Sequence, residues 1–92
     1  MKYRSRTEIV AMILQSVRSG ATKTKIMYKA YLSYTQIKEY LSFLQENDLI
    51  KYEEGSQVYI ITEKGLQFLH AYDEISELVT PKVDAHLKKF VI

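Results

Sequence analysis

The segment from residue 49 to residue 69, LIKYEEGSQVYIITEKGLQFL, constrains the fold more than any other part of the chain. Two runs of β-branched and aromatic residues, 50–53 and 57–61, flank a Glu-Gly-Ser turn and predict a β-hairpin. Thr62 follows at once as the N-cap of an amphipathic helix. Gly65 lies in the first turn of that helix, where it costs up to about 1 kcal/mol relative to Ala, so we expect a close backbone approach there.

Two registers of the hairpin are compatible with the sequence. A two-residue Gly55-Ser56 loop places four side chains on one face, namely Ile50, Tyr52, Tyr59 and Ile61. A three-residue loop centred on Gly55 substitutes Val58 and Ile60, because a slip of one residue turns every side chain to the other face. We favour the first register, since Gly at the first loop position suits a type II′ turn.

Two helices are predicted at the start of the chain. The first begins after Ser5, which forms a capping box with Glu8, and Gly20 fits a left-handed C-cap beyond its end. Thr22 is a good N-cap for a short second helix, residues 23 to about 30.

A longer third helix follows a short break. Ser33 caps it, and it runs from Tyr34 to about Asn47. Its inward positions recur at helical spacing, at Ile37, Tyr40, Leu41 and Leu44. A short helix, a tight turn and a longer helix form a helix-turn-helix pattern.

The bulk composition favours one small globular domain. The chain has 92 residues, of which 47% are hydrophobic, and it has no cysteine, so a disulfide framework is excluded. No apolar run approaches the ~20 residues that cross a bilayer. We therefore expect a soluble, cytoplasmic protein without membrane contact, and we expect association with the nucleoid if it binds DNA.

The sequence offers no readable catalytic, metal or cofactor site. His70 and His86 are the only histidines, and no Cys completes a zinc set. The three glycines are too dispersed for a phosphate-binding loop. We predict that the protein is not an enzyme, has no cofactor and has no readable site for a small-molecule ligand.

The charges are distributed unevenly along the chain. The net charge is +2, but most cations lie in the first 51 residues, and acids cluster later, at Glu53, Glu54, Asp73, Glu74 and Glu77. This polarity permits nucleic-acid binding by the first half without requiring it.

The order of these elements resembles the winged-helix superfamily over residues 5–69. The resemblance is carried by the two-helix unit at residues 22–47, by Asp48-Leu49-Ile50 and by Tyr59-x-Ile61-Thr62-x-x-Gly65. The ordering also looks like a family of small archaeal winged-helix DNA-binding proteins. Its matching stretches are Gly20-Ala21-Thr22-Lys23, Ile26-Met27-Tyr28, Leu32-Ser33, Leu49-Ile50 and Thr62-Glu63-Lys64-Gly65-Leu66.

The resemblance implies a mainly α fold with a small β-hairpin, a winged helix-turn-helix. The winged-helix domain is expected at residues 1–69. A C-terminal helical segment at residues 66–92, continuous with it, is expected to mediate dimerisation. In the resembled family, the long helix after the wing forms an antiparallel coiled coil between subunits.

The same resemblance implies that the third helix enters the major groove of DNA. Gln can pair bidentately with adenine, and Lys can donate to guanine. The predicted DNA contacts are Arg4, Arg6, Lys23, Lys25, Ser33, Tyr34, Thr35, Gln36, Lys38 and Ser42, with Lys51, Ser56 and Gln57 in the wing. Glu39 on the third helix and the acidic wing tip oppose this interpretation, because carboxylates repel phosphates.

The fourth helix carries an apolar seam with alternating spacings of four and three, the a/d interval of a coiled coil. The predicted dimerisation residues are Phe68, Tyr72, Ile75 and Val79, with Val83, Leu87 and Phe90 in a final short helix at residues 82–90 after Pro81. We expect a homodimer, because so small a domain has few other uses for this apolar surface.

Two functions remain open from the sequence. The favoured one is a homodimeric protein that binds double-stranded DNA, sequence-specifically or generally, as a transcriptional regulator. The alternative is a protein–protein interaction module without direct DNA contact. The alternative draws support from the acidic wing and from the eight tyrosines, since Tyr is favoured at interfaces.

Overall fold

A computed structural model describes residues 4–79 of the chain, and residues 1–3 and 80–92 lie outside that description. The elements in chain order are α1 (Arg6–Ser16), α2 (Lys23–Ala30), α3 (Tyr34–Glu46), β1 (Ile50–Glu53), β2 (Val58–Ile61) and α4 (Glu63–Val79). This arrangement confirms the predicted α+β winged-helix architecture. The predicted final helix, residues 82–90, falls outside the described residues.

The predicted helix starts are confirmed by their hydrogen bonds. The Ser5 hydroxyl accepts from the Glu8 N–H at 3.0 Å, and the Glu8 carboxylate accepts from the Ser5 N–H at 2.8 Å. Thr22 caps α2 by accepting from the Lys25 N–H at 3.2 Å. Each cap satisfies backbone donors that have no partner inside the helix, so these polar residues determine where the helices begin.

Gly20 adopts the predicted left-handed conformation but does not cap α1. The helix ends at Ser16 with Val17 as its C-cap, and Gly20, at φ 95°, closes the turn beyond it. The Gly20 N–H donates to the Val17 carbonyl at 3.1 Å. The glycine therefore directs the chain out of the turn toward the hairpin and does not terminate the helix.

The hairpin has the register that we favoured but a different turn. Ile50 pairs with Ile61 and Tyr52 with Tyr59, as the Gly55-Ser56 centre requires. The expected type II′ turn is wrong, because Gly55 has no positive φ and the left-handed residue is Gln57 at φ 58°. The Gln57 N–H donates to the Glu53 carbonyl at 2.7 Å, which closes a five-residue turn from Glu53 to Gln57.

Ala21 adds a third, single-residue strand that the sequence did not indicate. It forms an antiparallel bridge with Tyr59, and the two residues exchange N–H···O bonds of 3.0 and 2.8 Å. Strand β2 is therefore central, with β1 on one side and the α1–α2 connection on the other. The bridge to Ala21 connects the hairpin to the segment between α1 and α2 by backbone hydrogen bonds.

The hydrophobic core lies between the first three helices, the base of the hairpin and the first half of α4, which contributes the buried Leu69. Its largest fully buried side chains are Ile13, Leu14, Val17, Ile26, Ile37 and Leu44. Ile50 and Ile61, paired across the hairpin, are buried and extend this core, whereas Tyr52 farther along the same face is partly exposed. Among the described residues, no helix combines the length and the apolarity needed to cross a membrane.

A hydrogen-bonded corner joins the end of α3 to the start of α4. The Thr62 hydroxyl donates to the Asp48 carbonyl at 2.6 Å and accepts from the Gly65 N–H, and the Thr62 N–H donates to the Leu49 carbonyl. Lys64 Nζ donates to the Asn47 carbonyl at 2.9 Å. A Cβ on Gly65 would overlap the Leu49 carbonyl oxygen, so the expected close backbone approach is confirmed.

Candidate nucleic-acid interface

The outer side of α3 presents polar side chains to solvent. Thr35, Lys38 and Ser42 are all exposed, and their spacing of three and four residues places them on one face of the helix. The opposite face is buried through Ile37, Leu41 and Leu44. The three predicted base-contacting residues therefore share a surface that a DNA groove could reach, although Glu39 is exposed beside them.

Tyr34, the first residue of α3, brings two lysines from different helices together. Lys23 Nζ lies 4.6 Å from the centroid of the Tyr34 ring, and Lys38 Nζ lies 5.7 Å from it. Both distances fit cation–π contacts, which attract a cation to an aromatic face. Three residues predicted separately as DNA contacts thus form one basic cluster at the N-terminal end of α3.

Gln36 has a structural partner that limits the predicted reading of adenine. Its Oε1 accepts from the Ser33 N–H at 3.0 Å, while the Ser33 hydroxyl accepts from the Gln36 N–H at 3.2 Å. This capping box occupies the amide oxygen that a bidentate pair with adenine needs. Reading adenine bidentately would therefore require the Gln36 amide oxygen to accept from the base while it also accepts from the Ser33 N–H, or to give up that capping bond.

The two N-terminal arginines contact the protein itself. The Arg4 guanidinium donates to the Ala30 and Tyr31 carbonyls at the end of α2. A cation at a helix C-terminus interacts favourably with its free carbonyls and its dipole. Arg6 lies 5.6 Å above the ring of Tyr40, which is on the buried side of α3. Neither arginine is brought into the cluster around Tyr34.

The wing carries a net negative charge, because its single lysine is outnumbered by Glu53 and Glu54. Lys51 lies 3.9 Å from Glu53 in an exposed ion pair, so part of its charge is compensated locally. Glu54, Ser56 and Gln57 are exposed at the tip. The two predicted polar contacts, Ser56 and Gln57, are thus accessible, but they stand next to a carboxylate.

Two tyrosines that the sequence analysis did not select lie beside α3. Tyr28 is 76% exposed and Tyr31 is 77% exposed, more than any other large hydrophobic residue in the described part of the chain. A signal was available in the sequence, because Tyr28, Tyr31 and Tyr34 recur at intervals of three among lysines.

The predicted dimer seam on α4 divides into two parts. Phe68 and Tyr72 stack with ring centroids 6.4 Å apart and pack, half-buried, against the domain's own core. Ile75 and Leu78 are 58% and 75% exposed. The side chain of Val79 and the residues Val83, Leu87 and Phe90 lie outside the described part of the chain.

The comparison with family models agrees with this geometry. The winged helix-turn-helix model matches residues 3–80, which include every described helix and both strands. The chain belongs to the winged helix-turn-helix family.

Two relatives from the archaeon Methanocaldococcus jannaschii are described as uncharacterized proteins. MJ0290 is 34% identical over 79 residues, which are 85% of this chain and 36% of the relative. The chain therefore spans about a third of that protein's length. MJ0287 is 31% identical over 80 residues, 86% of this chain and 80% of the relative.

Two solved structures resemble most of this chain. The DNA-binding protein Sso10a-2 from Sulfolobus solfataricus superposes with a TM-score of 0.75 at 28% identity, covering 92% of each chain. ZitR from Lactococcus lactis superposes with a TM-score of 0.57 at 22% identity, covering 99% of this chain and 75% of that one. The likeness to ZitR shows the shared fold alone.

Proposed function

We propose that this winged-helix protein binds double-stranded DNA through α3, as a transcriptional regulator. The observation that carries the proposal is the cluster in which Lys23 and Lys38 converge on Tyr34 at the exposed start of α3. Two ammonium groups from different helices held at one ring form a compact site for the phosphate backbone. The likeness to Sso10a-2, described as a DNA-binding protein, supports the same function.

The proposed contacts divide into backbone and base contacts. Lys23 and Lys25, in the first turn of α2, would neutralise phosphates beside the groove, and such contacts position a protein without reading sequence. Lys38, in the cluster around Tyr34, would do the same. Thr35 and Ser42 would face base edges, where Thr or Ser can pair with several bases. This set is polar but contains few bidentate readers, so moderate sequence preference is expected.

The wing is proposed as a minor contact. Ser56 and Gln57 can donate to phosphate oxygens from the tip, but Glu53 and Glu54 lie within the same hairpin. Lys51 shares its charge with Glu53. Removing charge from the wing should therefore change DNA affinity less than removing charge from the cluster around Tyr34.

We also propose that the protein acts as a homodimer through α4. Ile75 and Leu78 are large apolar side chains left exposed one turn apart, beside the half-buried Phe68 and Tyr72. Burial of such a stripe against a second copy removes apolar surface from water, which stabilises association. Val79, Val83, Leu87 and Phe90 remain the predicted continuation of this contact.

Fluorescence anisotropy of labelled duplexes at several salt concentrations tests the DNA-binding proposal. Each phosphate contact contributes about −0.9 to the slope of log affinity against log salt. Lys23→Gln combined with Lys38→Gln should weaken binding and make that slope shallower by up to about 2. Lys64→Gln is the matched control, because Lys64 lies at the opposite end of α3, against Asn47.

Absence of binding by the unmodified protein at low salt would reject the proposal. In that event the alternative, a winged-helix module that binds another protein, becomes the preferred function. An equal loss of log affinity per charge removed, in the double variant and in Lys64→Gln, would instead show that binding depends on net charge alone.

A further inference from the structure

Tyr31 occupies a backbone conformation that tyrosine rarely adopts. It lies immediately after α2 with φ 55° and ψ 52°, in the left-handed region. Its N–H donates to the Tyr28 carbonyl at 3.3 Å, and the Leu32 N–H donates to the Met27 carbonyl at 3.1 Å. These two bonds form a Schellman motif, whose left-handed position is usually glycine.

The fold gains little from a tyrosine at this position. A side chain with a Cβ is strained in the left-handed region, and bulky residues there are outliers. The ring is 77% exposed, so its burial contributes little stability in return. The Arg4 guanidinium donates to the Tyr31 carbonyl, but this bond involves only the backbone of residue 31 and could form with any residue there. Residues held in rarely populated backbone conformations cluster at functional positions.

The surroundings of Tyr31 favour an anionic partner. Tyr28, one helical turn earlier, is also highly exposed, and within residues 4–79 neither ring has an aromatic or cation–π contact. No acidic residue occurs from residue 9 to residue 38, a stretch that contains Arg18, Lys23, Lys25, Lys29 and Lys38. Two unpartnered rings therefore stand within a uniformly cationic part of the chain.

We propose that Tyr31, with Tyr28 beside it, contacts the sugar–phosphate backbone of the DNA duplex that α3 enters. The inference rests on the proposed function and extends the interface to the α2–α3 turn. The ring would pack on a deoxyribose, and the hydroxyl would donate to a phosphate oxygen, a contact that positions the protein without reading bases. The left-handed backbone is what turns this ring outward at the start of α3.

Tyr31→Gly gives the sharpest test, because folding and binding should change in opposite directions. Glycine removes the strain, so the thermal midpoint should stay the same or rise. Affinity for duplex DNA should fall about five- to tenfold, because one hydrogen bond and the packing of one ring are lost. The salt slope should stay unchanged, because tyrosine neutralises no phosphate. Tyr31→Asn, which also tolerates the left-handed region, should behave similarly.

Asp48→Gly is the matched control for relief of strain. Asp48 occupies the equivalent left-handed position after α3, at φ 61°, and glycine there should not weaken DNA binding. Tyr31→Phe separates the two parts of the contact, since it should lose the hydroxyl's share of the affinity and retain the ring's share.

The outcomes distinguish this inference from the proposed function. If the unmodified protein does not bind DNA, the proposed function fails together with the inference. If it binds and both Tyr31→Gly and Tyr31→Asn bind within twofold of it, the inference alone is overturned. A weaker complex accompanied by a lowered thermal midpoint or a shallower salt slope would also overturn it, because Tyr31 would then act through the fold or through the lysines.

Discussion

Replacing Gly65 by alanine should destabilise the protein although alanine is the better helix former. In an unobstructed helix the change would stabilise by up to about 1 kcal/mol. Here the new Cβ would lie 2.6 Å from Ile61 Cγ1 and closer still to the Leu49 carbonyl oxygen. Something in the corner between α3 and α4 must therefore move.

The magnitude follows from what the corner contains. Overpacking of this kind typically costs about 1–3 kcal/mol. The Leu49 carbonyl cannot retreat without weakening its bond from the Thr62 N–H, 3.1 Å long, which is worth about 0.5–1.5 kcal/mol. After subtracting the gain in helix propensity, we expect a net loss of about 1–3 kcal/mol, or roughly 5–20 °C in the thermal midpoint of a domain this size.

Thermal and urea unfolding followed by circular dichroism would measure this loss at one fixed protein concentration, because self-association also shifts the midpoint. The chain supplies two internal comparisons. Gly55→Ala should change stability by less than about 0.5 kcal/mol, since nothing lies within 4 Å of its Cβ position. Gly20→Ala should cost about 1 kcal/mol because its φ is +95°. A Gly65→Ala protein as stable as the unmodified one would refute the reasoning.

Three further predictions concern individual side chains. Gln36→Ala should lower the free energy of unfolding by about 1 kcal/mol through loss of the capping box, and a panel of duplexes should show no selective loss for adenine-containing sites. Arg4→Gln should lower it by about 1 kcal/mol, because a neutral amide cannot bridge the carbonyls of Ala30 and Tyr31 as a guanidinium does; equal urea midpoints would contradict this. Ile75→Glu combined with Leu78→Glu should reduce a dimeric mass in light scattering to the monomer without loss of helical signal, whereas Glu74→Gln should leave the mass unchanged.

Local patterns predicted the helix starts more securely than the hairpin register. Ser5, Thr22 and Ser33 satisfy nearby backbone donors, so their consequences can be read within four residues of sequence. The pairing of Ile50 with Ile61 is the register that we favoured, but the type II′ turn on which that choice rested is absent. The helix caps depend on short-range chemistry, which a single sequence contains, whereas the alternation of the strands was compatible with either register.

The missed features depend on distant partners or on backbone angles. The bridge between Ala21 and Tyr59 joins residues far apart in sequence, and one paired residue leaves no periodic signal. The turn type was misjudged because the left-handed residue is Gln57 and not the neighbouring glycine. The left-handed conformation of Tyr31 was missed for a similar reason, since a tyrosine in the sequence does not indicate a positive φ.

The candidate site was partly predictable. Residue type and helical spacing identified the exposed face of α3, but the meeting of Lys23 and Lys38 at Tyr34 requires knowledge of how α2 and α3 are placed. The second use of Gln36, as part of a cap, was visible in the Ser-x-x-Gln spacing, yet one amide cannot serve both roles fully. The sequence therefore indicated which side chains of α3 are exposed, but not which hydrogen bonds or cation–π contacts each of them makes.

The corner between α3 and α4 has a consequence for the spacing of DNA sites. Thr62 and Lys64 donate to the backbone carbonyls that follow α3, so the end of α3 and the start of α4 are linked directly. In the proposed dimer, the place on α4 where the partner rests then determines how far apart the two α3 helices stand. Sliding that contact by one heptad changes the separation by about 10 Å along α4, close to three base pairs. Dimers that differ only in the apolar positions of α4 would thus select operators with different half-site spacing.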